Sequence, residues 1–493
     1  MKDESKFSKV LSILLSVVLV ISSFYLLYQV IRLNVLPSKF LFPLTIGVVV
    51  LDAIFILLLI YFSKNVVSKI VCILLTLFIC VATCMGGYYI SKTQNVLSNI
   101  TNVAKHAKNT VSVIVKESSS IKNKSQLNDV SVGSLRLNEQ GSKKVLKELS
   151  GEGIVLNQTE YDSMTALLEA FYNGEVDSII INESSRSQIL DMEAYSNFDS
   201  NTRVVYQTSY KVKNNDSATS VSDITSKPFN VLISGSDTRG GFDENGRSDV
   251  IMIATVNPKT HTILLTSVPR DFYVTTACDA GDGCMQGALD KITHTGIHGT
   301  NTTKRTVEQL LGIEINYTFK VGFDTVTELV DVLGGVDVYV EPGYATTTSE
   351  FSVHEGVNHL NAQQALAFAR ERYSYTEGDR QRTKNQQQVL MGIVKEATKP
   401  SVITNYAAIM DTMANTFSTT MSNAEITDLI KYQLNNNPTW KMEQYMVDGT
   451  GDTLMCAELG DAASVMVPDQ STVKMAKDKI NAVLAGKSSE DVK

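Results

Sequence analysis

An excess of positive charge is missing from this chain. Its 44 Lys and Arg residues stand against 52 Asp and Glu, for a net charge of −8 and a pI near 5.4. A surface that grips nucleic acid or anionic lipid broadly is therefore excluded, and any anion site has to be local. Cysteine is scarce, at six in 493 residues, and outside the apolar run that holds Cys80 and Cys84 no pair has zinc-finger spacing. Cys72, Cys80 and Cys84 lie in an apolar run and read as small packing residues. Cys278 and Cys284 bracket a short Gly-containing loop that a disulfide could close in an oxidising exterior, and Cys456 is left without an obvious partner. His294 and His298 are four apart, but Gly296 between them weakens a helical pair of metal ligands. A Walker loop, a GxGxxG turn, a convincing Ser–His–Asp arrangement and an internal repeat are all lacking.

Hydrophobicity is instead concentrated at one end. Residues 10–30, 40–62 and 66–90 are predominantly apolar, and about twenty residues suffice for a helix to cross a hydrocarbon core. The first run has no small-residue cleavage site, and two more spans follow it, so it is not read as a signal peptide. Lys2, Lys6 and Lys9 precede the first span, with Lys64 and Lys69 in the second loop, against Arg32 and Lys39 in the first. This bias favours an N-terminus inside the cell, and three crossings then put the rest outside. Asp52 lies within the second span, where an acid facing neighbouring helices is preferred to a proton pathway.

The expected organisation is a membrane anchor over residues 1–91, a small α/β domain with linker over 92–227, a larger α/β domain over 228–486 and a disordered tail over 487–493. In the smaller domain, a helix from Met164 ends at Gly174, and a buried strand follows at 176–182. The Ser/Thr-rich stretch 214–228 marks the linker. Strands are expected at 229–236, 249–256, 262–268 and 336–340, and helices at 304–311 and 324–333. From Asn361 onward the pattern reads as mostly helical, through 361–369, 380–398, 402–418, 425–434 and 474–484. Mixed strands with helices on both sides imply a layered α/β/α core.

The chemistry gathers at the strand ends of this larger domain. Asp237 follows a nearly continuous apolar strand, so its carboxylate is expected at the strand's mouth. Arg247 and Asp249 are two apart and share a side of an extended backbone. Arg270 follows Pro269 at the end of another strand, and its neighbour Asp271 can pair with an arginine. Arg370 and Arg372 converge only if a helix ends near Arg370. Asp379, Arg382 and Gln386 share one helix face, leaving Arg380 and Lys384 toward solvent. Acids alone suit a hard cation such as Mg²⁺, whereas guanidinium forks match phosphate oxygens. Taken singly, each Asp suits a turn cap and each Arg an ordinary charged helix.

Ser236-Asp237, Arg247-Ser-Asp249, Val268-Pro-Arg270-Asp271, Arg370-Glu-Arg372 and Asp379-x-x-Arg382-x-x-x-Gln386 together resemble the LytR–CpsA–Psr family. The resemblance covers roughly residues 229–400. Three spans followed by an accessory domain are similar to its capsule-associated branch. It implies a phosphotransferase of the Gram-positive envelope, moving a glycopolymer from a polyprenyl-pyrophosphate carrier to a peptidoglycan hydroxyl. Asp237 and Asp249 would then hold Mg²⁺ or Mn²⁺. Arg247, Arg270, Arg370, Arg372, Arg382 and Gln386 would bind phosphates, and Asp379 would orient the arginines. Either Asp237 or Asp249 would serve as base. The polyprenyl tail would enter an apolar pocket with residues 307–311 and 326–333 as candidate linings. Partners would be the lipid-linked glycan, peptidoglycan, the cell membrane and capsule-synthesis membrane proteins, with no nucleic acid. Residues 278–286 form a short insertion in this pattern, and Lys291 falls where a basic pocket residue would be useful. The competing readings are a membrane-bound regulator of capsule synthesis or transcription, and a lipid pyrophosphate hydrolase.

Overall fold

The computed structural model of the protein describes residues 6–62, 65–103, 106–136, 139–213, 216–236, 244–279, 283–399, 408–409, 412 and 417–492. Three helices are long and apolar enough to cross a membrane: Ser8–Leu33, Ser38–Phe62 and Val66–Thr101. They lie in α1 (Lys6–Leu33), in α2 (Ser38–Leu57) with its wider continuation to Phe62, and in α3 (Val66–Val103). The Asp52 carboxylate is buried and accepts from Ser23 Oγ at 2.9 Å, so this acid does face a neighbouring helix. α3 continues without a break past residue 91, where the anchor was expected to end, to Val103.

The accessory domain is a five-stranded sheet in the order β3-β2-β4-β1-β5. Its strands are β1 (His106–Lys116), β2 (Val130–Leu135), β3 (Leu156–Tyr161), β4 (Ser178–Asn182) and β5 (Thr202–Lys213), and its helices are α4 (Glu139–Gly151), α5 (Met164–Asn173), α6 (Arg186–Asp191) and α7 (Phe198–Asn201). Ser163 caps α5 by accepting from Ala166 N at 3.1 Å, and Gly174 ends it in the left-handed region at φ 81°.

The larger domain is built on six strands in the order β16-β11-β6-β7-β8-β17. These are β6 (Phe229–Ser236), β7 (Val250–Asn257), β8 (Thr262–Ser267), β11 (Tyr317–Gly322), β16 (Phe417–Thr419) and β17 (Lys441–Met446). β6 and β11 pair in parallel, as do β8 and β17, while β7 runs antiparallel to both β6 and β8. The carboxyl ends of β6, β8, β11 and β17 therefore gather at one edge. One core joins sheet residues Leu232, Ile253 and Leu264 to α8 (Thr300–Leu311) and the final helix α13 (Gln470–Leu484). A second core joins α9 (Phe323–Leu333), α10 (Ala362–Arg370) and α11 (Asp379–Ala397) to the pair β12 (Val336–Val340) and β15 (Gly356–Leu360). Short pairs complete the domain: β9 (Tyr273–Thr275) with β10 (Leu289–Lys291), and β13 (Thr346–Thr347) with β14 (Ser352–Val353). A longer hairpin forms from β18 (Gly449–Cys456) and β19 (Asp461–Pro468).

Several expectations change here. The mostly helical reading past Asn361 misses β17, β18 and β19, whose exposed faces and Gly-Thr-Gly-Asp start hide their alternation. The expected helix over 402–418 falls largely outside the described residues, and its end is strand β16 instead. The supposed disordered tail is pinned: Ser488 Oγ and Ser489 N donate to the Glu443 carboxylate, and Lys441 pairs with Glu490 at 2.8 Å. Residues 100–397 fall in one compact unit with residues 415–421 and 439–493. Residues 398–414 and 422–438 group instead with residues 1–99. Within that unit Lys431, on α12 (Asn423–Asn436), donates to Asn34 Oδ1 at 2.7 Å.

Close backbone approach seats α11. A Cβ on Gly392 would lie 2.8 Å from Asp337 O and 3.1 Å from Val336 Cβ. Gly392→Val is therefore expected to push α11 off β12 and to destabilise the chain by about 1–3 kcal/mol, read as a lower denaturation midpoint.

Candidate functional site

The strand polarity delivers the site residues to one mouth. Asp249 precedes β7, and its amide donates to Gly235 O near the carboxyl end of β6 at 2.8 Å. Gly235 permits this approach, because a Cβ there would meet Val250 Cβ at 2.8 Å. Arg270 lies just beyond β8, and its Nη1 donates to Asp249 Oδ1 at 2.9 Å. Arg247 Nε lies 4.0 Å from the same oxygen, as the extended spacing of Arg247 and Asp249 predicts. Asp271 stands 3.8 Å from Arg270 Nε and 3.5 Å from Lys291 Nζ, which brings Lys291 to the rim.

The short helical turn Ile292–His298 presses its backbone against residues 246–248. A Cβ on Gly296 would come within 2.5 Å of Gly246 O and Ser248 Oγ. The turn thereby sets Thr293 Oγ1 3.4 Å from Asp249 Oδ1, a neighbour that no local motif signals. His294 and His298 are each paired with an acid, Asp290 at 2.7 Å and Glu458 at 2.9 Å. They line a separate cleft whose walls include none of the arginines. Cys278 and Cys284 form a disulfide, and Cys456 is buried, its thiol pushed up to about 12 by desolvation.

α11 brings in the remaining charges despite its polar sequence. Asn385 Nδ2 donates to Phe368 O at 3.0 Å, and Gln387 Nε2 donates to Tyr445 O at 2.8 Å, so buried amides tie the helix to α10 and β17. Arg382 pairs with Asp379 one turn away, and Gln386 is half-buried one turn further on. Arg380 is 42% exposed, as expected of a solvent-facing residue, and its Nη2 also reaches Asp448 Oδ1 at 2.7 Å and Gly449 O at 2.9 Å. α10 ends at Arg370, which is exposed, and the chain turns extended at Glu371. Arg372 is half-buried, with its guanidinium 4.7 Å from the Tyr373 ring centre. Asp237 lies outside the described residues.

Electrostatics binds these groups into one cluster. Burial disfavours the Arg270 charge, but Asp249, Asp271 and Asp379 outweigh it and hold its pKa above the ordinary value. Arg382 is displaced the other way, first by burial and then by the charges of Arg270 and Arg372, with Asp379 and Asp249 compensating only in part. The Nε atoms of Arg247, Arg270 and Arg382 are buried without a hydrogen-bond partner among the described residues. Buried donors left open beside crowded positive charge make a receptor for a multiply charged oxyanion. For a metal, no three His, Cys, Asp or Glu side chains converge among the described residues. Among the described residues, Arg270, Thr293 and Arg247 all approach Asp249 at Oδ1, and Oδ2 is the oxygen that could hold a cation. Mg²⁺ takes one or two carboxylates plus substrate phosphates and keeps several waters, so this donor set fits it.

The LytR_cpsA_psr family model matches residues 194–482. A polyisoprenyl-teichoic acid–peptidoglycan teichoic acid transferase, TagU, of Bacillus cereus (strain AH820) is 31% identical over 241 residues, or 48% of this chain and 76% of that protein. TagU of Bacillus subtilis (strain 168) is 35% identical over 196 residues, or 40% and 60% of the two chains. The crystal structure of B. subtilis TagU aligns over 52% of this chain and 97% of its own, with 28% identity and a TM-score of 0.41.

Proposed function

Because the chain belongs to the LytR–CpsA–Psr family, we infer that it is an enzyme of that type, a glycopolymer–peptidoglycan transferase. We further propose that its donor is a capsular polysaccharide or related glycopolymer on a polyprenyl pyrophosphate, taken up on the outer side of the membrane. One observation carries the reading: Arg247, Arg270 and Arg382, each with a buried Nε that lacks a hydrogen-bond partner among the described residues, all act on or contact Asp249. A pyrophosphate offers the oxygens and the charge that such a cradle lacks. The tail has a suitable bed along α9 and β11, where Val326, Leu329, Leu333, Phe319 and Val321 stay half-buried. Val307 and Leu311, also expected as lining, are fully enclosed in the other core and are dropped from it.

In this reading Arg247, Arg270 and Arg382 hold the two phosphates, and Arg372 adds charge at the rim. The acceptor hydroxyl attacks the phosphorus that bears the glycan, and the bond from that phosphorus to the polyprenyl-phosphate oxygen breaks. Its proton goes to a carboxylate at the mouth, for which we take Asp249, the acid that Arg270 and Thr293 orient. Polyprenyl phosphate leaves with the bonding pair, its new charge stabilised by Arg270 and Arg382. Mg²⁺ or Mn²⁺ on Asp249 Oδ2 would neutralise phosphate charge. The three apolar helices keep the domain beside a lipid donor, which raises its effective concentration.

The test uses the full chain in lipid nanodiscs, a labelled glycan on polyprenyl pyrophosphate and peptidoglycan fragments. Labelled peptidoglycan is the expected product, whereas phosphate release without transfer would replace this reading with hydrolysis. Chelating divalent cations is expected to stop transfer, and added Mg²⁺ or Mn²⁺ to restore it. Transfer at full rate in excess chelator would remove the metal from the scheme.

A further inference from the structure

We propose that the accessory domain helps to build the phosphate cradle, with Asp191 as the residue that positions Arg247. The inference rests on the cluster being a pyrophosphate site. Asp191 is the last residue of α6, and its Oδ2 accepts from Arg247 Nη1. Arg247 is only 13% exposed, and its buried Nε has no hydrogen-bond partner among the described residues and lies 4.0 Å from Asp249 Oδ1 on the inner side. A guanidinium presents its N–H groups in forks. Holding Nη1 from the accessory side leaves the Nε–Nη2 edge for two oxygens of one phosphate.

A second tie grips the same stretch three residues earlier. Glu244 is buried, its carboxylate accepts from Thr110 Oγ1, and it lies 3.4 Å from Lys108 Nζ, both on β1. Lys108 and Glu244 also form a backbone bridge, and Lys320 of β11 donates to Glu244 O. The platform behind Asp191 is itself fixed. Arg186, which opens α6, is 10% exposed and pairs with Glu183 at 2.6 Å and Asp199 at 2.9 Å. Met192, next to Asp191, packs against the cluster of Cys456, Leu459 and Val465 in the larger domain. The segment that leads into Asp249 is thus held at Glu244 by β1 and at Arg247 by α6.

The Asp191 carboxylate is 59% exposed, so its pair with Arg247 adds little to stability. Its effect belongs in ligand binding. The test measures the affinity of the full chain in nanodiscs, with Mg²⁺, for a polyprenyl pyrophosphate that carries no glycan. Asp191→Ala is expected to weaken binding about three- to fivefold with no change in melting temperature. Asp191→Glu should restore the affinity, and Asp191→Ala should add nothing in an Arg247→Ala background. Unchanged affinity, additive losses, or tighter binding by Asp191→Ala would each overturn the positioning role. A wild-type chain that does not bind the probe would instead remove the pyrophosphate reading itself, so the two failures are told apart.

Discussion

Arg270→Ala is expected to lose transfer by about two to three orders of magnitude while the fold persists. Arg270 is the hub of the cluster, 2.9 Å from Asp249 and 3.8 Å from Asp271, and the charge of Asp379 also acts on it. Its removal deletes two donors at the place where charge develops on the leaving phosphate. It also strips Asp249 of its nearest counter-charge, leaving only Arg247 at 4.0 Å among the described residues, so the carboxylate would repel the incoming pyrophosphate more strongly. Neither effect touches the core around Leu264 and Phe272, to which Arg270 does not contribute. Transfer of labelled glycan, set beside the thermal melt of the same preparation, separates the two. Undiminished transfer by a well-folded Arg270→Ala chain would refute the cradle.

Asp249→Asn should cost at least as much, about a thousandfold, because one isosteric change removes three roles. The amide can still meet Thr293 and Arg270, so packing is nearly preserved. It neither balances the arginines nor binds a cation well, and it cannot take the acceptor's proton. The diagnostic is the cation response: wild-type transfer should rise and saturate with Mg²⁺, and the variant's residual rate should stay flat. A variant that keeps both its rate and its Mg²⁺ response would place metal and base elsewhere.

Much of this site was legible along the chain because extended backbone converts short spacing into shared direction. Arg247 and Asp249 converge as their two-residue separation requires, and α10 ends at Arg370 as expected, although Arg370 is exposed and Arg372 lies against the exposed Tyr373 ring. Strands buried on both faces, such as β6 and β8, announce themselves by continuous apolar runs. What stayed hidden depends on distant partners. Thr293 reaches Asp249 only because Gly296 lets one backbone lie against another. Asp191 meets Arg247 across 56 residues through the docking of two sheets. The β18–β19 hairpin starts with Gly and Asp and exposes much of both strands, so period-two patterning is faint there. Nothing local reveals Asp448 as the neighbour of Arg380.

The shared direction of β6, β8, β11 and β17 has an evolutionary corollary. Segments that follow their carboxyl ends can lengthen or be exchanged without breaking a rung of the sheet ladder. Acceptor preference can therefore diverge by remodelling the rim alone, on a frame whose clustered arginines need not be rebuilt.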